Sequence, residues 1–139
     1  MKSVHILLVE DNEGDILLTI EALKEEKNTF TISVVKDGWE AIQFLNKKGK
    51  YMNEHVPDVI LLDINLPKMN GIEVLKNIKS DKLLFHIPVN ILSTSSSPED
   101  IRICLSNKAD FFTTKPLDAH QFYENFLSLN TFSLYNEEK

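Results

Sequence analysis

The chain has 139 residues, 42% of them hydrophobic, which is enough for one domain with a hydrophobic core. Its 21 acidic residues outnumber its 15 basic ones, and the net charge of -6 argues against a nucleic-acid partner. The single cysteine excludes an internal disulfide, and no apolar run is long enough for a secretory signal or a membrane span, so we expect a cytoplasmic protein without a membrane partner.

Ten segments alternate between strand-like and helix-like patterns. The strand-like runs, such as VHILLV and VILLD, are almost continuous in Val, Ile and Leu, which is typical of parallel strands buried on both faces. The helix-like segments place apolar residues on one stripe, for example Ile72, Leu75 and Ile78. In chain order the predicted elements are strand 4–11, helix 13–27, strand 30–35, helix 39–50, strand 58–64, helix 70–81, strand 89–94, helix 97–109, strand 110–115 and helix 117–129.

The fourth helix has the clearest start signal. Ser97 can cap it, Pro98 suits the first helical position, and Asp100 completes a capping box. Strands that alternate with helices of this length indicate an α/β fold, in which a parallel sheet carries helices on both faces.

Polar residues follow four of the five predicted strands. Because ligands of such sheets bind outside the carboxyl ends of the strands, we expect these residues to share one edge. Three acids there would repel one another without a cation, and oxygen ligands without a nearby His or Cys suit Mg²⁺ better than zinc. A lysine and a hydroxyl beside that ion could hold a phosphoryl group. The residues are Glu10, Asp11, Asp63, Asn65, Ser93, Thr94 and Lys115.

Each residue alone also has a structural explanation. Glu10 and Asp11 could cap the first helix, and Asp63 could be a turn residue. The hydroxyls could satisfy local backbone groups, and Lys115 could be a solvated surface lysine. Their occurrence together favours the functional interpretation.

The set, together with DINLPKMNG after the central strand and ADFFTTKP at the last, resembles the receiver domain of two-component response regulators. The resemblance extends from about Val4 to Leu129. It implies a single receiver domain over residues 1–139, with its core at about 4–129 and a C-terminal extension at about 130–139. It also implies a flavodoxin-like (βα)5 fold, a doubly wound parallel sheet with strand order 2-1-3-4-5.

The resemblance further implies a function. A histidine kinase would transfer a phosphoryl group to Asp63 in a Mg²⁺-dependent reaction, which makes the protein a signalling phosphoacceptor and not an enzyme. The implied roles are metal binding by Glu10 (through a water), Asp11, Asp63 and the carbonyl of Asn65, phosphoryl binding by Lys115, Ser93 and Thr94, and switching by Ser93 and Phe112. The Lys115-Pro116 bond is expected to be cis.

Two departures from the family pattern concern the switch. Ser93 stands where Thr is commoner, although the hydroxyl is kept, and Phe112 has no phenolic group, so its switch would be one of packing.

The long loop before Pro57 and the segment KSDKLLFHIPV are similar to stand-alone regulators partnered with phytochrome-type histidine kinases. Because only a short tail follows the last helix, we expect output through contact with an unidentified downstream protein, through a phosphorelay step or through competition for phosphoryl groups.

The last predicted helix leaves an alternative open. Its residues Phe126 and Leu129, with Phe132 and Leu134 beyond, could be core and tail packing. They could instead form an exposed apolar strip for kinase docking or for a homodimer through the C-terminal helices.

Three other functions fit the sequence less well. A Mg²⁺-dependent phosphohydrolase with an aspartyl-phosphate intermediate would often carry a second acid two residues after its nucleophile, where this chain has Asn65. A flavodoxin would cradle the FMN phosphate in a Ser/Thr/Gly-rich loop, where this chain has the acidic EDNEGD. A degenerate receiver acting as a scaffold is disfavoured because every expected site residue is present.

Overall fold

The computed structural model describes residues 3–26, 30–95 and 97–137, with side chains up to residue 129. The strands are β1 Val4–Val9, β2 Phe30–Val35, β3 Val59–Asp63, β4 Val89–Ser93 and β5 Phe111–Thr114. The helices are α1 Glu13–Glu25, α2 Gly38–Leu45, α3 Gly71–Ser80, α4 Pro98–Ser106 and α5 Ala119–Glu137, with a short 3-10 helix at Gly49–Tyr51.

The five strands form one parallel sheet in the order β2-β1-β3-β4-β5, which confirms the predicted fold. The register places the carboxyl ends of the strands at one edge. Val9 pairs with Leu62, the residue before Asp63, and Ser93 pairs with Thr114, the residue before Lys115. The polar residues that follow β1, β3, β4 and β5 therefore lie on neighbouring strands of the same edge.

The sheet is buried on both faces. Along β1, Leu7 packs with the helices α2, α3 and α4, whereas Leu8 packs with α1 and α5. Every residue of β3 and β4 is buried, so the two central strands have apolar contacts above and below. Cys104 of α4 is fully buried in the first of these layers, and burial raises the pKa of its thiol, as expected for a packing residue.

Several helix ends differ from the prediction, among them the end of α4, which stops at Ser106 and not at residue 109. α2 stops at Leu45, because Asn46 caps it and Lys47 turns into the left-handed region with a φ of 56°. α5 continues to Glu137 through the part that the sequence pattern placed in the tail.

For one apolar residue of α5, the structure distinguishes core packing from an exposed apolar strip. Phe126 is buried in the layer shared with α1, so it is core packing and not part of an exposed strip. The side chains of Phe132 and Leu134 lie outside the described ones, and the homodimer through this helix stays a prediction. Among the residues described, no helix combines the length and the apolar character that crossing a membrane requires.

Candidate functional site

The carboxyl edge of the sheet holds Asp63 in a fixed position. Asp63 is the last residue of β3 and is only 6% exposed, since the four apolar residues before it are buried. The chain then turns sharply into α3, where the N–H of Gly71 donates to the carbonyl of Ile64 at 2.8 Å. A Cβ at Gly71 would lie 2.3 Å from the carbonyl oxygen of Asp63, so this approach requires glycine.

Three carboxylates meet beside the end of β3. Oxygen atoms of Glu10, Asp11 and Asp63 all lie within 4.8 Å of one another. Glu10 and Asp63 are buried, whereas Asp11 is exposed and faces solvent. The backbone N–H of Asn12 donates to Glu10 Oε2 at 3.2 Å and holds that carboxylate under the start of α1.

Lys115 brings a positive charge to the acids from the end of β5. Its Nζ donates to Glu10 Oε1 at 2.6 Å, to Asp15 Oδ2 at 2.9 Å and to Asp63 Oδ2 at 3.3 Å. Its backbone N–H donates to the carbonyl of Ser93 at 2.7 Å, which ties it to β4. The peptide bond between Lys115 and Pro116 is cis, as expected.

The other predicted residues lie around this cluster. The N–H of exposed Asn65 donates to Asp63 Oδ1 at 3.1 Å. Ser93 is buried at the end of β4, where its Oγ accepts a hydrogen bond from the Ser95 N–H at 3.0 Å, and the next residue, Thr94, is exposed. Phe112 is half-buried and packs against the layer formed with α2, α3 and α4.

Known proteins resemble this chain over most of its length. The sequence profile of the response regulator receiver domain matches residues 6–126, which is most of the chain. This chain belongs to the response regulator receiver family. Response regulator Rcp1 of Synechocystis sp. is 36% identical to this receiver domain over 129 residues, which are 93% of this chain and 88% of Rcp1.

Solved structures of response regulators resemble this receiver domain over nearly its whole length. The phosphorylated cyanobacterial phytochrome response regulator RcpA is 41% identical and superposes with a TM-score of 0.78, covering 96% of this chain and 95% of RcpA. The Mn(2+)-bound form of Rcp1 is 35% identical and superposes with a TM-score of 0.77, covering 94% of both chains.

Carboxylates outnumber positive charges in the cluster at the receiver site. Burial raises the pKa of Glu10 to about 7, and its hydrogen bond with Asp63 acts in the same direction. Burial alone would lower the pKa of Lys115, but the hydrogen bonds to Glu10 and Asp15 outweigh it, so the pKa of Lys115 is raised. One ammonium therefore serves several carboxylates, and the site favours a further positive charge.

The composition of this acidic pocket suits a divalent cation. Its possible side-chain ligands are carboxylate oxygens that lie close enough to share one ion, and hard divalent cations prefer oxygen ligands. After burial, the hydrogen bond and the negative charge of Asp63 also raise the pKa of Glu10, and a divalent ion would neutralise that charge. The receiver site thus has both the ligands and the electrostatics for such an ion.

One contact in the receiver site was missed by the sequence analysis. Asp15 of α1 is a hydrogen-bonding partner of Lys115, yet in the sequence it looks like an ordinary acid in the first turn of a helix. The two residues are 100 positions apart, and only the position of α1 over the end of β5 brings them together. The one available signal was the third helical position, where an acid often has a specific partner.

Proposed function

We propose that this receiver domain accepts a phosphoryl group on Asp63 from the phosphohistidine of a histidine kinase, in a reaction that requires Mg²⁺. The observation that supports this most directly is the position of Asp63. Its buried carboxylate is held rigidly at the end of β3 and lies within hydrogen-bonding reach of Lys115 and beside the acid pair. A fixed nucleophile between positive and oxygen-rich groups is what phosphoryl transfer needs.

The transfer would use the oxygen atoms of Asp63 as the nucleophile. A bond forms between a carboxylate oxygen and phosphorus, while the bond between phosphorus and the histidine nitrogen of the kinase breaks. The ammonium of Lys115, 3.3 Å from Asp63 Oδ2, is placed to donate to an oxygen of the transferred group. Catalysis in such a site consists mainly of positioning and charge stabilisation.

The metal would be held by the residues at the end of β1 and β3. Asp11 and Asp63 would be direct ligands, the backbone carbonyl of Asn65 a third, and Glu10 would act through a bound water. When bound there, Mg²⁺ would supply positive charge that neutralises the phosphoryl oxygens. Carboxylate and carbonyl oxygens suit Mg²⁺, as they also suit Ca²⁺ and Mn²⁺.

Phosphorylation would change the contacts of Ser93. Its Oγ now accepts from the Ser95 N–H, and a phosphoryl oxygen on Asp63 would give the hydroxyl a strong acceptor. We infer that Ser93 and the N–H of Thr94 would move toward that group and that Phe112 would repack beside the space they leave. Such a change would alter the surface formed by α4, β5 and α5, where a downstream protein could bind.

The similarity to RcpA supports a particular class of kinase as the partner. We propose a phytochrome-type histidine kinase, because the similar RcpA is a phytochrome response regulator and its similarity covers nearly the whole chain. The protein would act in the cytoplasm as a signalling phosphoacceptor that forms and slowly loses its own acyl phosphate. It would not act as an enzyme that turns over a separate substrate.

The assignment of Asp63 is tested with a small phosphodonor such as acetyl phosphate. We expect the intact mass to increase by one phosphoryl group in the presence of Mg²⁺ and not in EDTA, and we expect Asp63→Asn to show no increase. Asp118→Asn is the matched control, because an asparagine there can still cap α5. A wild type without added mass, or equal labelling of Asp63→Asn, would contradict the proposal.

The phosphohydrolase alternative makes a different prediction. Asn65 is exposed beside Asp63 and its side-chain amide cannot donate a proton as a carboxylic acid would. We therefore expect no sustained release of phosphate from a generic phosphomonoester such as p-nitrophenyl phosphate. Continuous turnover of that substrate, lost in Asp63→Asn, would favour the hydrolase.

A further inference from the structure

Asp15 takes no part in the proposed phosphoryl transfer, yet it makes a close contact with Lys115. The distance from Lys115 Nζ to Asp15 Oδ2 is 2.9 Å, which is shorter than the 3.3 Å to the phosphoacceptor Asp63. The side chain of Asp15 is 34% exposed, so it lies at the border between the buried cluster and solvent.

The local structure of α1 leaves the carboxylate of Asp15 available for this contact. Asn12 caps the helix by accepting from the Asp15 N–H at 2.9 Å, which places Asp15 at the third helical position. A carboxylate at that position commonly reaches back to the N–H of the capping residue. Here the Asn12 N–H donates to Glu10 instead, at 3.2 Å, and the Asp15 carboxylate points to Lys115.

The three acceptors of Lys115 differ in what else they must do. Glu10 and Asp63 belong to the group of three acids whose oxygen atoms could share a cation. Asp15 does not belong to that group in the described part of the chain. A divalent cation would therefore compete with Lys115 for Glu10 and Asp63, but not for Asp15.

We propose that Asp15 is a positioning residue for Lys115: it holds the ammonium against α1, so that Glu10 and Asp63 are free to bind the cation while Lys115 stays beside the phosphoacceptor. The inference rests on the proposed function of the site. Asp15 gives the lysine an acceptor that neither the cation nor the phosphoryl group would use. Without Asp15, two positive charges would depend on the same carboxylate oxygens.

The first test observes Lys115 directly, in the absence of a cation. An ammonium held by three carboxylates exchanges its protons slowly, so its ¹H–¹⁵N NMR signal is expected to be visible in the wild type. We expect Asp15→Asn and Asp15→Ser to broaden or remove that signal. Glu13→Gln is the matched control, because it removes one charge from the same helical turn but its side chain pairs with Lys36.

The second test measures Mg²⁺ affinity by calorimetry. We expect Asp15→Asn to weaken Mg²⁺ binding about three- to tenfold, as the loss of one charge-assisted hydrogen bond would, and Glu13→Gln to leave it near the wild-type value. In a Lys115→Met background the substitution at Asp15 should have no further effect, because the competing ammonium is gone. The phosphorylation rate with acetyl phosphate should fall in Asp15→Asn by a similar factor, and Asp15→Glu should restore part of it.

Some results would overturn the role of Asp15. An unchanged Lys115 signal and unchanged Mg²⁺ affinity in both folded Asp15 variants would do so. An equal weakening by Glu13→Gln, or an undiminished effect in the Lys115→Met background, would show a general charge effect instead of positioning. If the wild type takes up no phosphoryl group, the proposed function fails, whereas the signal and the Mg²⁺ affinity still decide the role of Asp15.

Discussion

At the scale of single residues, Glu10 shows what the clustering of carboxylates does to protonation. Its pKa is raised to about 7, first by burial and then by the hydrogen bond with Asp63. The ordinary value is 4.5, and the unfolded chain is expected to keep it. Between these two values the folded protein binds a proton that the unfolded chain releases, so this group favours folding more at low pH.

The consequence is a pH-dependent stability of the cation-free protein. As the pH rises from about 5 to 7.5, the contribution of Glu10 to stability should fall by on the order of 2 to 3 kcal/mol. Urea unfolding in EDTA at several pH values measures this. The free energy of unfolding of the wild type, minus that of Glu10→Gln at the same pH, should decrease over this range. A constant difference would contradict the raised pKa.

Individual site residues differed in how far the sequence could predict them. Glu10, Asp63, Ser93 and Lys115 were predictable because each follows a recognisable strand, and strand ends of a parallel sheet meet at one edge. The contact of Asp15 with Lys115 was not predictable, because an acidic residue in a helix gives no indication of a partner 100 residues away.

A second contact between distant residues was also invisible in the sequence. The nearly buried Nζ of Lys79 donates to the carbonyls of Phe85 and Ile87 and to Asp110 at 2.9 to 3.1 Å, and it ties the end of α3 to the start of β5. Lysine patterns in helices predict exposure, and the exception depends on tertiary packing.

At the scale of elements, the strands were easier to predict than the helix ends. β2 has the predicted bounds, since β-branched residues and a turn signal delimit it on the sequence. The end of α2 depends on the left-handed conformation of Lys47, which no residue type there demands. The start of α3 depends on a close approach of two backbones.

That close approach gives a prediction for α3. Gly71→Ala should destabilise the domain by about 2 kcal/mol or more, because a Cβ 2.3 Å from the carbonyl of Asp63 forces the backbone to move. The same shift would displace Asp63, so the phosphorylation rate should also fall. Gly14→Ala is the matched control in α1, where a Cβ would meet only the side chain of Asn12 at 3.3 Å.

The measurement for this pair is urea unfolding, followed by mass spectrometry with acetyl phosphate. Gly14→Ala should stay within about 1 kcal/mol of the wild type, because alanine is the better helix former and the neighbouring side chain is exposed. Similar stability losses in both variants, or no loss in Gly71→Ala, would contradict the role of the close approach to Asp63, because helix propensity alone would favour alanine at both positions.

At the scale of the whole molecule, the sheet order explains why one short edge can hold a site. The contact from Lys115 to Glu10 joins residues 105 positions apart, and Asp63 comes from the middle of the chain. The alternation of buried strands with amphipathic helices predicted a parallel sheet with helices on both faces, because parallel strands need helical crossovers, whereas the strand order was implied by the resemblance to receiver domains. The apolar layers on both faces hold the strand ends in register, so the site exists only when the sheet is complete.

A cation that binds this site should therefore stabilise the entire domain. The unfolded chain cannot gather Glu10, Asp11 and Asp63, so Mg²⁺ would bind almost only to the folded state. At a concentration about 100 times its Kd, such a ligand adds about 2.7 kcal/mol to the free energy of unfolding, which for a domain of this size raises the Tm by roughly 5 to 10 °C.

Thermal unfolding in Mg²⁺ and in EDTA measures the shift in Tm. Asp11→Asn should lose most of it, and Asp118→Asn, far from the acids in sequence and placed at the start of α5, should keep it. A Tm that does not respond to Mg²⁺ in the wild type would contradict cation binding, and an equal response in Asp11→Asn would place the cation elsewhere.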